Sequence, residues 1–537
     1  MLHRRGFLAG SVGAALVSYA DLTAAMAAVP RDVVVMAKQI DDILSLDPHE
    51  SFEFSGNEIS GNIYQKLVTP NPANPAELRG DLAERWVIAP DGRSLTFTLR
   101  DGRKFASGNP VTAGDAAFSL ARVIRMNKPP AFILNQFGFT PDNVDARITA
   151  PDARTLVLRF AEAPAPSFLL YCLAANVGSV IDKNIVMAQA QGSGAANDLG
   201  NAWLKQNSAG SGNWVLRSFR ASENVSLDAN PLNPPPGGIK RLIIRHVPDP
   251  STQFLLLRQG DADIARDLST EHIAAVANDP AYAVVQQLSG RINYIAMNLL
   301  HPMLARPQVR QAIKWAIYYA AIQKNIMPAT AKVHQSFVPE GFPGALADTP
   351  FYKDTARAKA LLTEAGLAGG FDLTMDHASV APTPDIAQVI QANLRECGIR
   401  LALRAGESRQ VTTRVRARQH ELAMGGWGSD YFDPNSNAEN FCVNTDNSDA
   451  ALRKTTAWRN AWLDQDISDR SIAALKEPDS ARRLAAYEAL QRDVLERGPY
   501  AMMLQPIQVA VVRRNVEGLT LGVMSDLSRY EGLRKTS

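Results

Sequence analysis

The chain has 537 residues, enough for three or four domains of about 150 residues each. Its 56 Lys and Arg residues against 54 Asp and Glu residues give a net charge of +2, which provides no basic surface for nucleic acid or for an anionic membrane. Cys172, Cys397 and Cys442 are far apart in sequence, which excludes a disulfide framework but leaves one isolated bridge open. The eight histidines form no short ligand pair, so we predict no locally encoded metal site.

Residues 1–28 have the features of an export signal. A basic start is followed by an apolar run over residues 7–17 and by the small-residue site Ala25-Met26-Ala27, which predicts cleavage before Ala28. The pair Arg4-Arg5 resembles a twin-arginine signal, and an ordinary secretory signal is the alternative. The apolar run is about half the ~20 residues that a membrane-spanning helix needs. We therefore expect a soluble protein outside the cytoplasm.

Alternation of apolar and polar residues predicts a β-hairpin in the first third of the chain. Residues 86–100 alternate on both sides of Pro90-Asp91-Gly92, and an Asp-Gly dipeptide is typical of a tight turn. The same pattern returns over residues 155–160. We predict a small β-rich subdomain from about residue 66 to 170, followed by a turn-rich stretch over 191–238 that is too broken for a helix.

Amphipathic helices alternate with short strands in the second half of the chain. Asp385 is predicted to cap a helix that ends at Gly398, just before the alternating strand 399–403. Such steps from helix to strand build α/β layers, so we predict an α/β fold of two lobes with the β-rich subdomain inside the first lobe. Apolar positions at helical spacing predict further helices over residues 309–320, 355–365 and 479–497.

The common local signatures of enzymes are missing from the sequence. It contains no GxxxxGK[ST], GxSxG, HExxH or GxGxxG motif. The acidic clusters Asp41-Asp42 and Asp261-Ala262-Asp263 are predicted to be surface or turn residues, because acidic residues mostly lie exposed. We therefore predict that the protein is not an enzyme, with no catalytic residue and no cofactor. An exported hydrolase or redox enzyme that carries a cofactor is the alternative from another class.

Short motifs recur along nearly the whole mature chain in the order of a known family. They include Leu46-Asp47-Pro48, the segment 61–68, the long block 81–120, the segment 257–264 and the segment 358–366. In this order they resemble the family 5 extracellular solute-binding proteins of ABC importers, whose members bind oligopeptides, dipeptides, nickel chelates, opines and some sugars. The resemblance explains Asp261 and Asp263 as part of a structural turn motif.

The resemblance implies the two-lobed fold of periplasmic binding proteins, in which hinged lobes close over a ligand. Lobe I is expected over residues 29–290, lobe II over 291–504, and the C-terminal return to lobe I over 505–537. The chain is expected to cross between lobes near residues 287–294 and 499–506. The implied protein is a monomeric periplasmic receptor that delivers a small-molecule ligand, by our prediction a peptide, to a cognate inner-membrane ABC permease.

The binding site implied by the resemblance is the segment Gly425 to Pro434, which is similar to the "W-x-x-D-Y-x-D-P" loop of the family. Asp430 would pair with the α-ammonium group of a peptide, since an ammonium group removed from water needs a fixed opposite charge. Gly426, Trp427 and Tyr431 are the other predicted ligand contacts. In the alternative interpretation the segment is only a turn in which Asp430 caps its own backbone, and Trp427 is a core residue.

One departure from the family pattern concerns the other end of a peptide. Some dipeptide binders hold the ligand carboxylate with an arginine before a helix of the second lobe, but residues 371–391 contain no Arg or Lys. His377 is the only candidate replacement there, and a surface or packing role is its alternative. The sequence therefore argues against a dipeptide held at both ends. An opine, a nickel chelate or an oligosaccharide is the alternative ligand.

Overall fold

The computed structural model describes residues 30–71 and 74–536, so the predicted export signal lies outside the described residues. Within these ranges no helix is both long and apolar enough to cross a membrane. Strands and helices alternate along the chain, and most strands join one large mixed sheet.

Most strands are four to eight residues long, whereas one strand near the end of the chain extends over 14 residues. The strands are β1 Val33–Lys38, β2 Val68–Asn71, β3 Asn74–Gly80, β4 Ala83–Ile88, β5 Ser94–Leu99, β6 Ile148–Thr149, β7 Thr155–Arg159, β8 Trp214–Arg220, β9 Asn224–Ala229, β10 Arg241–His246, β11 Ile264–Ala265, β12 Tyr282–Leu288, β13 Arg291–Met297, β14 Ala331–Val333, β15 Phe371–Ala378, β16 Ile399–Gly406, β17 Leu422–Gly428, β18 Tyr500–Arg513, β19 Val516–Glu517 and β20 Arg534–Lys535.

The α-helices cover the faces of the sheets and fill the connections between strands. They are α1 Phe54–Ile63, α2 Ala113–Met126, α3 Phe132–Asn135, α4 Val144–Arg147, α5 Pro166–Ala174, α6 Lys183–Ala188, α7 Asn201–Leu204, α8 Pro250–Gln259, α9 Thr270–Val276, α10 Pro307–Ala316, α11 Tyr319–Asn325, α12 Thr355–Glu364, α13 Thr383–Glu396, α14 Ser408–Arg416, α15 Asn435–Cys442, α16 Thr456–Arg459, α17 Gln465–Lys476 and α18 Ser480–Arg497.

The large sheet has two halves that share the long strand β18. The strand order is β16-β15-β17-β13-β18-β11-β1-β10-β9-β8, and β12 and β14 also pair with β18. The start of β18 pairs with β13, where Asn293 lies opposite Leu504, and its end pairs with β12, where Leu288 lies opposite Ile507. We call the half that contains β1 and β8–β12 the first lobe and the half that contains β13–β17 the second lobe.

A separate four-stranded sheet of order β4-β5-β7-β6 lies in the region predicted to be rich in β-structure. The predicted hairpin is confirmed, with Gly92 at a φ of +67° in its turn. Helix α2 covers the sheet and begins with a capping box, in which Thr112 and Asp115 exchange hydrogen bonds. Phe97 and Leu120 are buried in the shared core. The region therefore carries a helical layer that the alternation pattern did not reveal.

Strands β8 and β9 lie within the stretch predicted to be rich in turns. They pair through an irregular register between Leu216 and Ser218. The bulge interrupts the alternation of buried and exposed residues, which explains why the sequence pattern did not reveal β8.

Two predicted helix boundaries in the second lobe are wrong. Helix α13 begins at Thr383 with Pro382 as its N-cap, so Asp385 lies in the first turn and caps nothing. The helix predicted over 309–320 ends at Ala316, and a separate helix α11 follows. The backbone N–H of Tyr318 donates to the Asn393 side chain at 3.0 Å, which replaces an intrahelical hydrogen bond at the break.

The remaining helices that the sequence predicted in the second lobe are confirmed. Helix α12 leads into β15, which pairs in parallel with β16, and helix α18 is capped by Asp479 and ends before Gly498. The three cysteines are buried and unpaired, so the isolated bridge that the sequence left open is not formed.

Candidate functional site

A cavity of about 680 Å³ lies between the two lobes. The first lobe contributes Asn57 and Glu58 of α1, the turn between β12 and β13 contributes Ser289, and the shared strand β18 contributes Gln508. The second lobe contributes the segment 428–432, which follows β17. A cavity of this size is within the usual range for small-molecule sites.

The loop that carries Asp430 is held in place on several sides. The Ser429 N–H donates to the Gly290 carbonyl at 2.9 Å and continues the pairing of β17 with β13. The Asp430 N–H donates to Ser436 Oγ at 2.7 Å. The buried Asp433 carboxylate accepts two hydrogen bonds from Arg483 of α18, at 2.6 and 2.8 Å. Asp430 therefore lies in a rigid turn that begins where β17 ends.

Asp430 faces the cavity as a carboxylate without a cationic partner. No ion pair or hydrogen bond to its side-chain oxygens occurs in the described part of the chain. Burial, with a smaller contribution from the Glu439 charge, raises the pKa of Asp430 to about 7. A cation that enters the cavity stabilises the ionised form of this carboxylate, because it compensates the charge that burial disfavours.

Tyr431 lines the cavity but also packs deep between the lobes. It is 1% exposed and belongs to the hydrophobic cluster under the four-stranded sheet, with its ring centroid 5.7 Å from that of Phe168. Its hydroxyl accepts a hydrogen bond from Asn435 Nδ2 at 3.1 Å. The neighbouring Phe432 packs against Tyr171 of α5 at 5.4 Å. The residues after Asp430 thus join the second lobe to the first.

Trp427 and Gly426 lie on β17 just before Gly428 and are not among the residues that line the cavity. The Trp427 ring is partly buried and contacts Phe441 edge-on at 6.1 Å. Gly426 is exposed and pairs with Asn293 of β13. Their contact with ligand remains a prediction.

The other polar candidates from the sequence are spread over the molecule. His377 is 4% exposed, and its Nδ1 lies 2.9 Å from the Ala378 carbonyl, so it does not face the cavity. Asp263 is buried, accepts a hydrogen bond from the Val35 N–H and forms an ion pair with Lys535 at 2.9 Å, which corrects the expectation of a surface residue and fits a structural role. Asp41 and Asp42 line the cavity mouth, and Asp42 accepts the Ser55 N–H.

The sequence did not reveal a buried charge cluster at the cavity wall of the first lobe. Glu58 pairs with Lys38 and with Arg266 Nη1, the latter at 2.5 Å, and accepts the Tyr530 hydroxyl at 2.7 Å. Burial opposes ionisation of Glu58, but the charges of Arg266 and Lys38 hold its pKa at about 2. These residues come from four separated segments, so no local motif marks them.

Arg291 is a second cavity residue that the sequence did not reveal. It is the first residue of β13 and lies opposite Gly428 of β17. Within residues 30–71 and 74–536, no group of three or more His, Cys, Asp or Glu side chains is arranged to hold a metal ion.

The fold and the cavity are those of a two-lobed solute-binding receptor. The profile described as "Bacterial extracellular solute-binding proteins, family 5 Middle" matches residues 77–449, and the chain belongs to this family. The predicted family and the predicted α/β, two-lobed fold are confirmed.

Relatives and solved structures agree with this assignment over most of the chain. The probable D,D-dipeptide-binding periplasmic protein DdpA of Escherichia coli K12 is 27% identical over 95% of both chains. Di/tripeptide-binding protein 2 of Pseudomonas aeruginosa is 28% identical over 87% of this chain and 89% of its own. The periplasmic binding protein DppA of Helicobacter pylori, solved with the peptide STSA, superposes with a TM-score of 0.73 at 24% identity over 94% of this chain and 98% of its own.

Proposed function

We propose that this protein is the periplasmic receptor of an ABC importer and that it binds short peptides for delivery to an inner-membrane permease. The observation that carries the proposal is the unpaired Asp430 carboxylate at the wall of the cavity between the lobes. A peptide α-ammonium group supplies the opposite charge that this carboxylate lacks. The relatives named for dipeptide or di/tripeptide binding support a peptide over other ligands of the family.

The proposed receptor closes by a hinge motion. Lobe I would comprise residues 29–290 and 505–537 with the β-rich subdomain at about 66–170, and lobe II residues 291–504. The turn at Ser289-Gly290 and the middle of β18 support this division, because the strand pairing changes partner there. Export by the signal at 1–28, with cleavage before Ala28, would place the receptor in the periplasm, as the name of the E. coli relative states for that protein.

A thermal-shift screen of the mature protein, refolded to remove trapped ligand, tests the proposal. The screen compares free and N-acetylated peptides of two to six residues. At 100 times its dissociation constant a ligand adds about 2.7 kcal/mol to the free energy of unfolding, which is readily detected. We expect stabilisation by free peptides and none by acetylated peptides.

Asp430→Ala is expected to abolish the response to peptides without loss of folding. Asp142→Ala is the matched control, because Asp142 is exposed and lies outside the cavity wall. A wild-type protein that responds to an opine, a nickel chelate or an oligosaccharide but to no peptide would contradict the proposed ligand. An unchanged peptide response of Asp430→Ala would contradict the assigned anchor.

A further inference from the structure

Arg291 lies at the cavity with a charge that the protein does not neutralise. Its side chain is exposed to the cavity, and no ion pair or hydrogen bond to its guanidinium group occurs among the described residues. Burial by the surrounding protein lowers the pKa of Arg291, and no carboxylate offsets this effect. The guanidinium carbon lies 4.8 Å from the centroid of the Phe54 ring, which holds the side chain from the first lobe.

The other two cations of the cavity wall already have acidic partners. Lys38 and Arg266 share the carboxylate of Glu58, and Arg266 also reaches Gln508 at 3.4 Å. Arg291 is therefore the cation of the described cavity wall that has no carboxylate of its own.

Arg291 and Asp430 are opposite charges at neighbouring strand ends that do not pair with each other. Arg291 lies opposite Gly428, and Asp430 follows Gly428 by two residues. Paired Cα atoms on adjacent strands lie about 5 Å apart and consecutive Cα atoms about 3.8 Å apart, so the Cα atoms of Arg291 and Asp430 are separated by no more than roughly 13 Å. The unpaired Asp430 carboxylate and the unpaired Arg291 guanidinium group therefore lie close enough on the cavity wall for one short peptide to contact both.

We propose that Arg291 binds the α-carboxylate of a di- or tripeptide whose α-ammonium group pairs with Asp430. This inference rests on the proposed function and assigns the second anchor of the same site. At about 3.3 to 3.6 Å per extended residue, the charged ends of such peptides lie roughly 6 to 10 Å apart. The planar guanidinium group matches a carboxylate with two parallel hydrogen bonds.

Arg291 thereby supplies the carboxylate anchor that residues 371–391 lack. Both anchors belong to the second lobe, Arg291 at the start of β13 and Asp430 in the turn after β17, so a peptide would be held at both ends by one lobe. Because the contacts are to the main chain of the peptide, alanine peptides are suitable probes. The free C-terminal carboxylate of the peptide, and not the peptide side chains, would determine which peptides the receptor prefers.

Isothermal titration calorimetry with Ala-Ala and Ala-Ala-Ala tests the proposal, each as the free peptide and as the C-terminal amide. The proteins are wild type, Arg291→Gln, Arg291→Lys and the control Arg409→Gln, which removes an exposed arginine of the second lobe outside the cavity wall. We expect wild type and Arg409→Gln to prefer the free peptides over the amides by about 10- to 100-fold.

In Arg291→Gln the affinity for free peptides is expected to fall to that for the amides, whose affinity stays unchanged. Arg291→Lys is expected to restore part of the preference, since it keeps the charge but loses the planar fork. Equal losses for free and amidated peptides, or no loss, would overturn the assignment of Arg291 alone. Absence of any binding to wild type would overturn this assignment and the proposed peptide function together.

Discussion

At the scale of single residues, the Asp-Pro motif near the start of the mature chain forms a buried network of charges. Arg122 donates two hydrogen bonds to Asp47, at 2.5 and 2.9 Å, and both side chains are fully buried. Nη1 of Arg122 also lies 2.9 Å from His49 Nδ1, and His49 Nε2 lies 2.9 Å from the Ser179 carbonyl. The neutral imidazole satisfies both contacts, since Nε2–H donates and Nδ1 accepts.

This network predicts that His49 contributes a loss of stability in mild acid, opposite in sign to the contribution of Asp430, whose raised pKa favours the folded state as the pH falls. Burial and the Arg122 charge lower the pKa of His49 from 6.5 to about 4. Between these values the unfolded chain binds a proton that the folded chain does not, so the free energy of unfolding decreases as the pH falls. The loss from His49 is about 3 kcal/mol between pH 7 and pH 4.

Urea unfolding at pH 7, 6, 5 and 4 measures this loss. His49→Gln is expected to remove this contribution, so that its free energy of unfolding changes less unfavourably than that of wild type between pH 7 and pH 4, whereas the partly exposed control His301→Gln is expected to keep the wild-type slope. The same slope in His49→Gln and in wild type would contradict the role of His49.

The Asp47-Pro48 motif was recognisable in the sequence as a family feature, but its role in a buried charge network was not. Asp47 and Arg122 are 75 residues apart in sequence, and nothing local pairs them. Asp430 was identified because it lies within a distinctive loop, and the structure places it at the cavity. Arg291 has no such context, because only the pairing of β13 with β17 brings it beside that loop.

At the scale of elements, helix α18 fixes the loop of the candidate site. Arg483 of α18 is 1% exposed and holds Asp433 with two hydrogen bonds, while its guanidinium carbon lies 5.6 Å from the ring centroid of Phe168 in the first lobe. A contact three residues from Asp430 thus connects the loop, the second lobe and the first lobe.

Arg483→Met is expected to weaken peptide binding at least tenfold and to lower the melting temperature. The substitution leaves the Asp433 carboxylate buried without its partner, at a cost of about 3–5 kcal/mol. The adjacent Arg482 is the matched control, since it is exposed and pairs with Glu477 at 2.8 Å on the surface. Calorimetry and thermal unfolding of Arg483→Met and Arg482→Met measure both effects. Equal behaviour of the two variants would contradict a role for α18 in holding the loop.

Elements with strong local signals were predicted well, and those set by tertiary contacts were not. Helix α18 has an Asp cap and a terminal glycine, and both were visible in the sequence. The break between α10 and α11 depends on Asn393, which is 75 residues from Tyr318. Ala320, the last residue of the helix predicted over 309–320 from its apolar positions, is exposed, because the chain changes direction at this break.

At the scale of the whole molecule, few connections join the two lobes. The sheet halves share β18, and the turn at residues 289–290 links β12 to β13. The aromatic contacts of Tyr431 and Phe432 with α5 also join the lobes at the cavity wall. This arrangement permits the two lobes to rotate about β18 and the turn at 289–290 when those aromatic contacts separate.

We expect a saturating peptide to reduce the radius of gyration of the protein in solution. A compact chain of this length has a radius of about 24 Å, and the open form should exceed it. Small-angle X-ray scattering with and without peptide measures the change, and Asp430→Asn is expected to show none. A radius that is the same with and without bound peptide would contradict hinge closure.

The position of β18 also determines how late in synthesis the large sheet can be completed. β18 follows every other strand of the large sheet in the chain, yet it lies between β13 and β11 in that sheet. While the ribosome is still synthesising the residues before β18, the sheet of each lobe lacks this strand. Neither lobe can therefore complete its sheet before residues 500–513 are synthesised, and a nascent chain that stops before them contains two incomplete lobes instead of one finished domain.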